Sequence, residues 1–193
     1  MEQFRLIKPT LEYKDQAIEY IKEHNEYESE INGVGGLNRY LENYEGWLDK
    51  LEKHRNYEVT EENVPAETFF LIRINDNKII GTINLRLALN EKLRKFAGHI
   101  GYSIRPTERR KGYNKINLYL ALQECQKFGL KSVMLACDKH NIASAKTIQA
   151  FDTELEREFF DDEMYHCVQQ HYWIDVDKAI INKKIEFEKY IEN

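Results

Sequence analysis

HIGYSIRPTERRKGYNKINLYLALQECQKFGLKSVMLACDKHN, residues 99–141, runs from one strand through a basic turn and a helix to a second strand with no slack between them. HIGYSI (His99 to Ile104) is the first strand and RPTERRKGYN (Arg105 to Asn114) the turn. Leu118, Ala121, Leu122, Cys125 and Phe128 then recur at helical spacing, with Ile116, Tyr119 and Leu120 widening the stripe, which predicts a helix buried on more than one side. Gly129 stops it. The unbroken apolar VMLAC within Ser132 to Asp138 reads as a strand covered on both faces. Strand, helix and strand in this length make a right-handed βαβ unit, and ligands in such sheets bind beyond the carboxyl ends of the strands.

The turn carries chemistry of its own. Between Arg105 and Lys115 five basic residues stand against one acid, Glu108, in a chain whose net charge is −5. Arg109, Arg110 and Lys111 run into Gly112 at the start of the helix, where unpaired N–H groups and the helix dipole favour an anion. Gly112 lets the backbone approach such a ligand closely. The required glycines and Lys-Ser/Thr pair of a Walker A loop are missing, as is G-x-G-x-x-G. The concentration of charge points to a small anion site rather than a general basic surface.

Arg109-Arg110-Lys111-Gly112-Tyr113-Asn114 resembles the pyrophosphate loop of the GNAT superfamily, the GCN5-related N-acetyltransferases, whose pattern is Arg or Gln, any two residues, Gly, any one, then Gly or Ala. Asn141, with Ser144 three residues on, is similar to the family's Asn at the start of the next helix. The resemblance covers about Phe4 to Asp175. It implies an α/β (α+β) fold with a mixed central sheet of about six to seven strands flanked by helices, two parallel strands of which splay apart. It also implies acetyl-CoA as co-substrate in that gap, with main-chain groups of Tyr102, Ser103 and Ile104 on the pantetheine. Residues Arg109, Arg110, Lys111, Gly112, Tyr113 and Asn114 would hold the pyrophosphate, and Asn141 and Ser144 the pantetheine and cysteamine part.

Three positions depart from the family pattern. Asn114 stands where Gly or Ala is usual, so its side chain must point away from the phosphates. Ile148 stands where many members carry the Tyr that protonates the leaving thiolate. Phe151-Asp152 replaces a Gly-containing turn, which puts the next strand at risk of distortion. A thiolate needs little help to leave at neutral pH. The catalytic candidates are His99, whose ordinary pKa suits a base, and Tyr102, an equally placed polar group. No Ser/His/Asp order or Cys/His pair argues for a covalent route.

The remaining chain is read as support for this unit. With 193 residues, 42% hydrophobic and 32% charged, and no break in composition, the sequence predicts one domain over 1–176 and a charged helical tail over 177–193, packed on the domain or on a second copy. Phe4 to Ile7 predicts a strand; Tyr13, Ala17, Tyr20, Ile21 and His24 mark a helix. Asn32-Gly33-Val34-Gly35-Gly36 reads as a flexible bend, and the stripe Leu37, Tyr40, Leu41, Tyr44, Trp47, Leu48 and Leu51 as one long helix. Tyr40, Tyr44 and Trp47 are candidates to touch the acceptor. Thr68 to Ile74 and Lys78 to Leu87 predict a hairpin across Asn75-Asp76-Asn77, while Asn90 to Lys95 reads as an exposed charged stretch. Leu155 to Phe160 and Met164 to Asp175 predict the last two strands, split by an acidic turn.

An odd set of three cysteines and the absence of a membrane-length apolar run or signal-like start fit a cytoplasmic location, with nucleic acid and membrane excluded as partners. No metal ligand set emerges. The expected activity is that of an acetyl-CoA-dependent N-acetyltransferase, an acyltransferase moving an acetyl group to a primary amine of a small molecule or peptide. The alternatives are an acyl-CoA-binding module with weak or no turnover and a plain interaction domain.

Overall fold

A computed structural model describes residues 2–192. Strand β1 (Phe4–Ile7) leads to helix α1 (Lys14–Glu26) and helix α2 (Tyr44–His54), then strands β2 (Ala66–Arg73) and β3 (Lys78–Arg86) and a short helix α3 (Glu91–Phe96). The central unit follows as β4 (Ile100–Ile104), α4 (Tyr113–Lys127) and β5 (Ser132–Asp138). Helix α5 (Ile142–Gln149), strands β6 (Glu154–Asp161) and β7 (Cys167–Asp175), and helix α6 (Val176–Phe187) complete the chain.

The strands form two sheets, ordered β1-β2-β3-β4 and β5-β7-β6, with every ladder antiparallel. The α/β architecture with seven strands is as expected, and the strands divide into two sheets where one central sheet was expected. Strands β4 and β5 share no ladder; their segments meet at one bridge, Gly98 to Leu135. The reason is local. Gly98 takes φ +70°, and a Cβ there would lie 2.3 Å from the Met134 carbonyl oxygen. His99 then donates its N–H to that carbonyl at 2.7 Å and accepts the Met134 N–H on Nδ1 at 2.9 Å. A side chain thus stands where the next ladder bond would be, and pairing ends.

The first sheet has a core on each face. Ile80, Ile83 and Leu85 pack under α4, whose Ile116, Leu118, Tyr119, Leu120, Ala121 and Leu122 are all buried because β5, α5 and α6 enclose its other sides. Phe70, Ile72 and Ile79 pack under α1 and α2 with Tyr20, Ile21 and Trp47. Each such burial contributes roughly 1.5–3 kcal/mol. Helix α6 belongs to the first core: Phe187 stacks on Phe151 at 5.6 Å, while Ile181 and Ile185 stay exposed.

Several local expectations need correction. The stripe from Leu37 is not one helix: Leu37–Arg39 is a 3-10 turn, and α2 starts at Tyr44 because the Asn43 side chain caps the Gly46 N–H. The glycine run before it is packed down, not loose. A Cβ on Gly33 would lie 2.5 Å from the Gly101 carbonyl oxygen, and the Asn32 carbonyl accepts the Ser103 hydroxyl at 2.6 Å. The charged stretch after Asn90 forms α3, capped by the Asn90 side chain. Residues Met164 to His166 belong to the turn before β7, where Asp161 accepts the N–H groups of Glu163, Met164 and Tyr165. Asp152 adopts the left-handed conformation, φ +53°, that a glycine would favour, and β6 begins two residues later with an irregular register at Leu155/Arg157.

Three histidines, His24, His99 and His171, are buried. Burial, aided by the nearby Arg109, Arg86 and Arg157 respectively, brings each from the ordinary 6.5 to about 4. The unfolded chain protonates these rings below about pH 6.5, the folded chain only near 4. Between those values the unfolded state binds more protons, so stability falls as pH is lowered, by up to about 1.4 kcal/mol per pH unit for each ring. The urea midpoint is therefore expected to fall steadily from about pH 6.5 towards pH 4; a flat midpoint contradicts buried neutral histidines.

Candidate active site

The basic turn sorts its charges. Arg105 is folded under it, donating from Nε to the Ile79 carbonyl at 2.8 Å and from Nη1 to Glu23 at 2.7 Å. Glu108 is shared by Arg73, Lys78 and Lys111. Burial works against its charge, but hydrogen bonds from Lys111 and Arg73 hold its carboxyl at about 2. Of the five basic residues, Arg105 and Lys111 are therefore neutralised by neighbours. Arg109, Arg110 and Lys115 have no carboxylate partner among the described residues.

The backbone supplies the rest. Arg110 and Gly112 both have positive φ, +64° and +82°, the left-handed angles that occur in anion-binding backbone nests. None of the N–H groups from Arg110 to Asn114 has an acceptor among the described residues, and Gly112 leads directly into the fifteen-residue α4. A Cβ at Gly112 would meet nothing within 4 Å, so glycine is needed there for its angle and not for space. Arg109 anchors the turn, donating to the Ile104 carbonyl at 3.1 Å and to the Ser29 hydroxyl at 2.5 Å. Such a nest at a helix start fits an anion with several acceptor oxygens, such as a diphosphate.

Beside the turn lies the open edge of β4. Its ladder to β3 pairs Asn84 with Gly101 and Thr82 with Ser103, bounded by bonds from Arg86 N–H to the His99 carbonyl and from Arg105 N–H to the Ile80 carbonyl. By the antiparallel alternation, Gly101 and Ser103 turn their main-chain groups to β3, whereas Tyr102 and Ile104 turn theirs towards β5. Ser103 departs from expectation here: its hydroxyl also faces away, bonded to Tyr20, Thr82 and Asn32.

A polar cluster spans the gap. The Tyr102 hydroxyl meets the Ser144 hydroxyl at 2.9 Å, and Asn114 donates to the Thr147 hydroxyl at 3.3 Å. Asn114 is thus accommodated by pointing back at α5, and its buried Oδ1 is left without a partner. Asn141 caps α5, accepting the Ser144 N–H at 3.0 Å. Ile148 is sealed in the core. Burial pushes the Cys137 thiol up to about 11 and the Tyr102 hydroxyl well above its ordinary range. A hollow of about 600 Å³ opens elsewhere, on the outer side of the turn between Glu2, Lys111, Tyr113 and Lys189.

The other candidates separate. The Nδ1 lone pair of His99 is occupied by the Met134 N–H. Tyr44 and Trp47 are fully buried in the second core, leaving Tyr40, half-buried beside Lys50, as the one of the three near the surface. Thr147 escaped notice in the sequence because it sits one residue from an apolar helical position. Its partner Asn114 lies 33 residues away.

The model of the acetyltransferase (GNAT) family matches residues 36–153. No curated protein matches the chain by sequence. Among solved structures, the ribosomal-protein-S5-alanine acetyltransferase from Vibrio fischeri superposes with a TM-score of 0.66 at 19% identity, covering 92% of this chain and 95% of that one. A microcin C7 self-immunity acetyltransferase in complex with acetyl-CoA and AMP gives 0.62 at 19% identity, covering 89% and 91%. A ribosomal L7/L12 alpha-N-protein acetyltransferase in complex with coenzyme A gives 0.64 at 14% identity, covering 91% and 96%. At these identities the likeness is one of fold. With the family match spanning more than half of its length, the chain belongs to the GNAT acetyltransferase family.

Proposed function

We propose that the protein is an N-acetyltransferase that uses acetyl-CoA as co-substrate and transfers the acetyl group to a primary amine by direct attack in a ternary complex. The observation carrying this reading is the run of unpaired N–H groups from Arg110 to Asn114, set beside the edge of β4 where Tyr102 and the Ile104 N–H have no ladder partner, the Ile104 carbonyl being held by Arg109. Acetyl-CoA would supply an activated thioester. The turn would hold its pyrophosphate with Arg109, Arg110 and Lys115 adding charge, and Asn141 and Ser144 would border its thiol end. The Tyr102 N–H, on the open edge, is placed to support the developing oxyanion.

Tyr102 also answers the loss of the family's Tyr at Ile148, from the opposite wall of the gap. Its raised pKa keeps the hydroxyl protonated, above the ordinary thiol range. It therefore serves as a hydrogen-bond donor to the leaving sulfur and not as a full proton donor. A hydrogen bond to a charged partner contributes about 1.5–3 kcal/mol. The bridge to Ser144 must open for this, exchanging one hydroxyl partner for another. His99 is assigned to positioning, because its lone pair holds Met134. The three free thiols fit a reducing cytoplasm.

Thiol release from acetyl-CoA across a panel of primary amines tests the activity. Release with none of them, while acetyl-CoA still raises the melting temperature, favours a binding module instead. Tyr102→Phe is expected to lower kcat about 10-fold or more with coenzyme A affinity retained; an unchanged kcat removes Tyr102 from the chemistry. Gly112→Ala forces a side chain into the left-handed region, costing roughly 1–3 kcal/mol, and is expected to weaken coenzyme A binding about 10-fold without unfolding the protein. Equal affinity would show that the turn is not the anion site. His99→Asn is expected to lower the melting temperature yet leave the acidic limb of the kcat pH profile in place; loss of that limb would make His99 the base.

A further inference from the structure

The wall of the cleft opposite the polar cluster contains a cation with no counterion. Four arginines are buried or half-buried: Arg55, Arg73, Arg86 and Arg105. Arg55 pairs with Glu52 and Glu67, Arg73 with Glu108 and Asp76, and Arg105 with Glu23. Arg86 has no carboxylate within 4.0 Å among the described residues, although the chain carries 33 acidic residues against 28 lysines and arginines. In a protein with acids to spare, a desolvated guanidinium without one calls for a reason.

Its position supplies the reason. Arg86 closes β3 and donates from Nη1 to the Gly98 carbonyl at 2.9 Å, the residue where the two sheets meet and the gap begins. Nη2 lies 3.5 Å from the point where a Cβ on Gly101 would stand, one residue from the Tyr102 edge proposed to face the thioester. Neither Nε nor Nη2 has an acceptor, and neither is sealed from solvent as the orphan Nη2 of Arg105 is. The titratable neighbour of Arg86 across the cleft is Tyr165, exposed in the β6–β7 turn, and a phenol offers no negative charge at neutral pH. This guanidinium lies on the α1/α2 face of β4, next to the Gly33 backbone, and so on the side away from α4 and the basic turn.

We propose that Arg86 selects the acceptor: its free guanidinium edge takes a carboxylate carried by the amine, so the substrate class is an amine bearing a carboxylate a few bonds from its nitrogen. A free amino acid and a peptide with an acidic residue at its amino end both offer this chemistry. The inference rests on the acetyl-transfer reading for the site where the amine reacts. Gly98 and Gly101 fit the role, since the carbonyl of one anchors Nη1 and the missing side chain of the other makes room for Nη2 beside the Gly33 backbone.

The test compares thiol release for matched amines with and without a carboxylate, alanine against alaninamide, and for peptides beginning with an acidic or an amide residue, using wild type and Arg86→Gln. Glutamine keeps a donor for the Gly98 carbonyl, so the fold is preserved. Wild type is expected to favour the carboxylate member about 10- to 100-fold in kcat/KM, the worth of a charged hydrogen-bonded pair. In Arg86→Gln that preference vanishes through KM with kcat little changed, and Arg86→Lys restores part of it. Preference for the amino-acid pair identifies a small substrate, and preference confined to the peptide pair a protein amino end. Equal use of both members by wild type, or an equal loss for both in Arg86→Gln, overturns the proposal. If no amine is turned over, the acetyl-transfer reading fails separately, and calorimetry of alanine on the coenzyme A-saturated protein still decides Arg86: no heat in wild type, or the same heat in Arg86→Gln, overturns the assignment.

Discussion

Everything in the cleft depends on how two sheets are held together at one point and kept apart beyond it. Gly98 brings the lead-in to β4 within contact of the Met134 carbonyl, and His99 then occupies both main-chain groups of Met134 with its own N–H and its ring nitrogen. A neutral imidazole is required, because a protonated Nδ1 cannot accept. Burial and the Arg86 charge keep it neutral near pH 7. A side chain that ends a ladder leaves the following main-chain groups of β4 unpaired, and an unpaired strand edge inside a protein is tolerable only where a ligand or solvent can satisfy it.

The proposed anion site at the far end of β4 has a matching logic. The turn carries more positive charge than one diphosphate needs, and the fold removes the excess: Glu23 takes Arg105, and Glu108 takes Lys111 along with Arg73 and Lys78. These pairs are structural, fastening the turn to α1 and the first sheet. What remains free is a line of backbone N–H groups, whose directions are fixed by the left-handed Arg110 and Gly112. Backbone donors cannot rotate away, so recognition of this kind depends less on side-chain ordering than a cluster of lysines would.

Legibility in the sequence followed how local each determinant is. The strand–helix–strand order, the turn and Asn141 as a helix start could be read because their signals lie within a few residues of each other: apolar periodicity, Gly112 and a cap three residues before Ser144. The division into two sheets could not, since it is set by a hydrogen bond between residues 35 apart, His99 to Met134. The stripe from Leu37 to Leu51 misled because its apolar spacing suited a helix while Asn43, a capping residue inside it, marked the true start. Gly33 read as flexibility, whereas its lack of a side chain serves contact with Gly101. Of the candidate site, the basic turn was visible, but the Tyr102 bridge to Ser144 and the unpaired Arg86 exist only through tertiary packing.

The central claim is that the N–H groups of Arg110 to Asn114, the edge groups of Tyr102 and the Ile104 N–H await one extended ligand. Two-dimensional amide NMR of the labelled protein titrated with coenzyme A reads each of these groups directly. The account predicts saturable shifts concentrated in residues 110–114 and at Tyr102 and Ile104, with little change across β1 and β2. Shifts absent at millimolar coenzyme A, or confined to the hollow lined by Glu2 and Lys189, would contradict it.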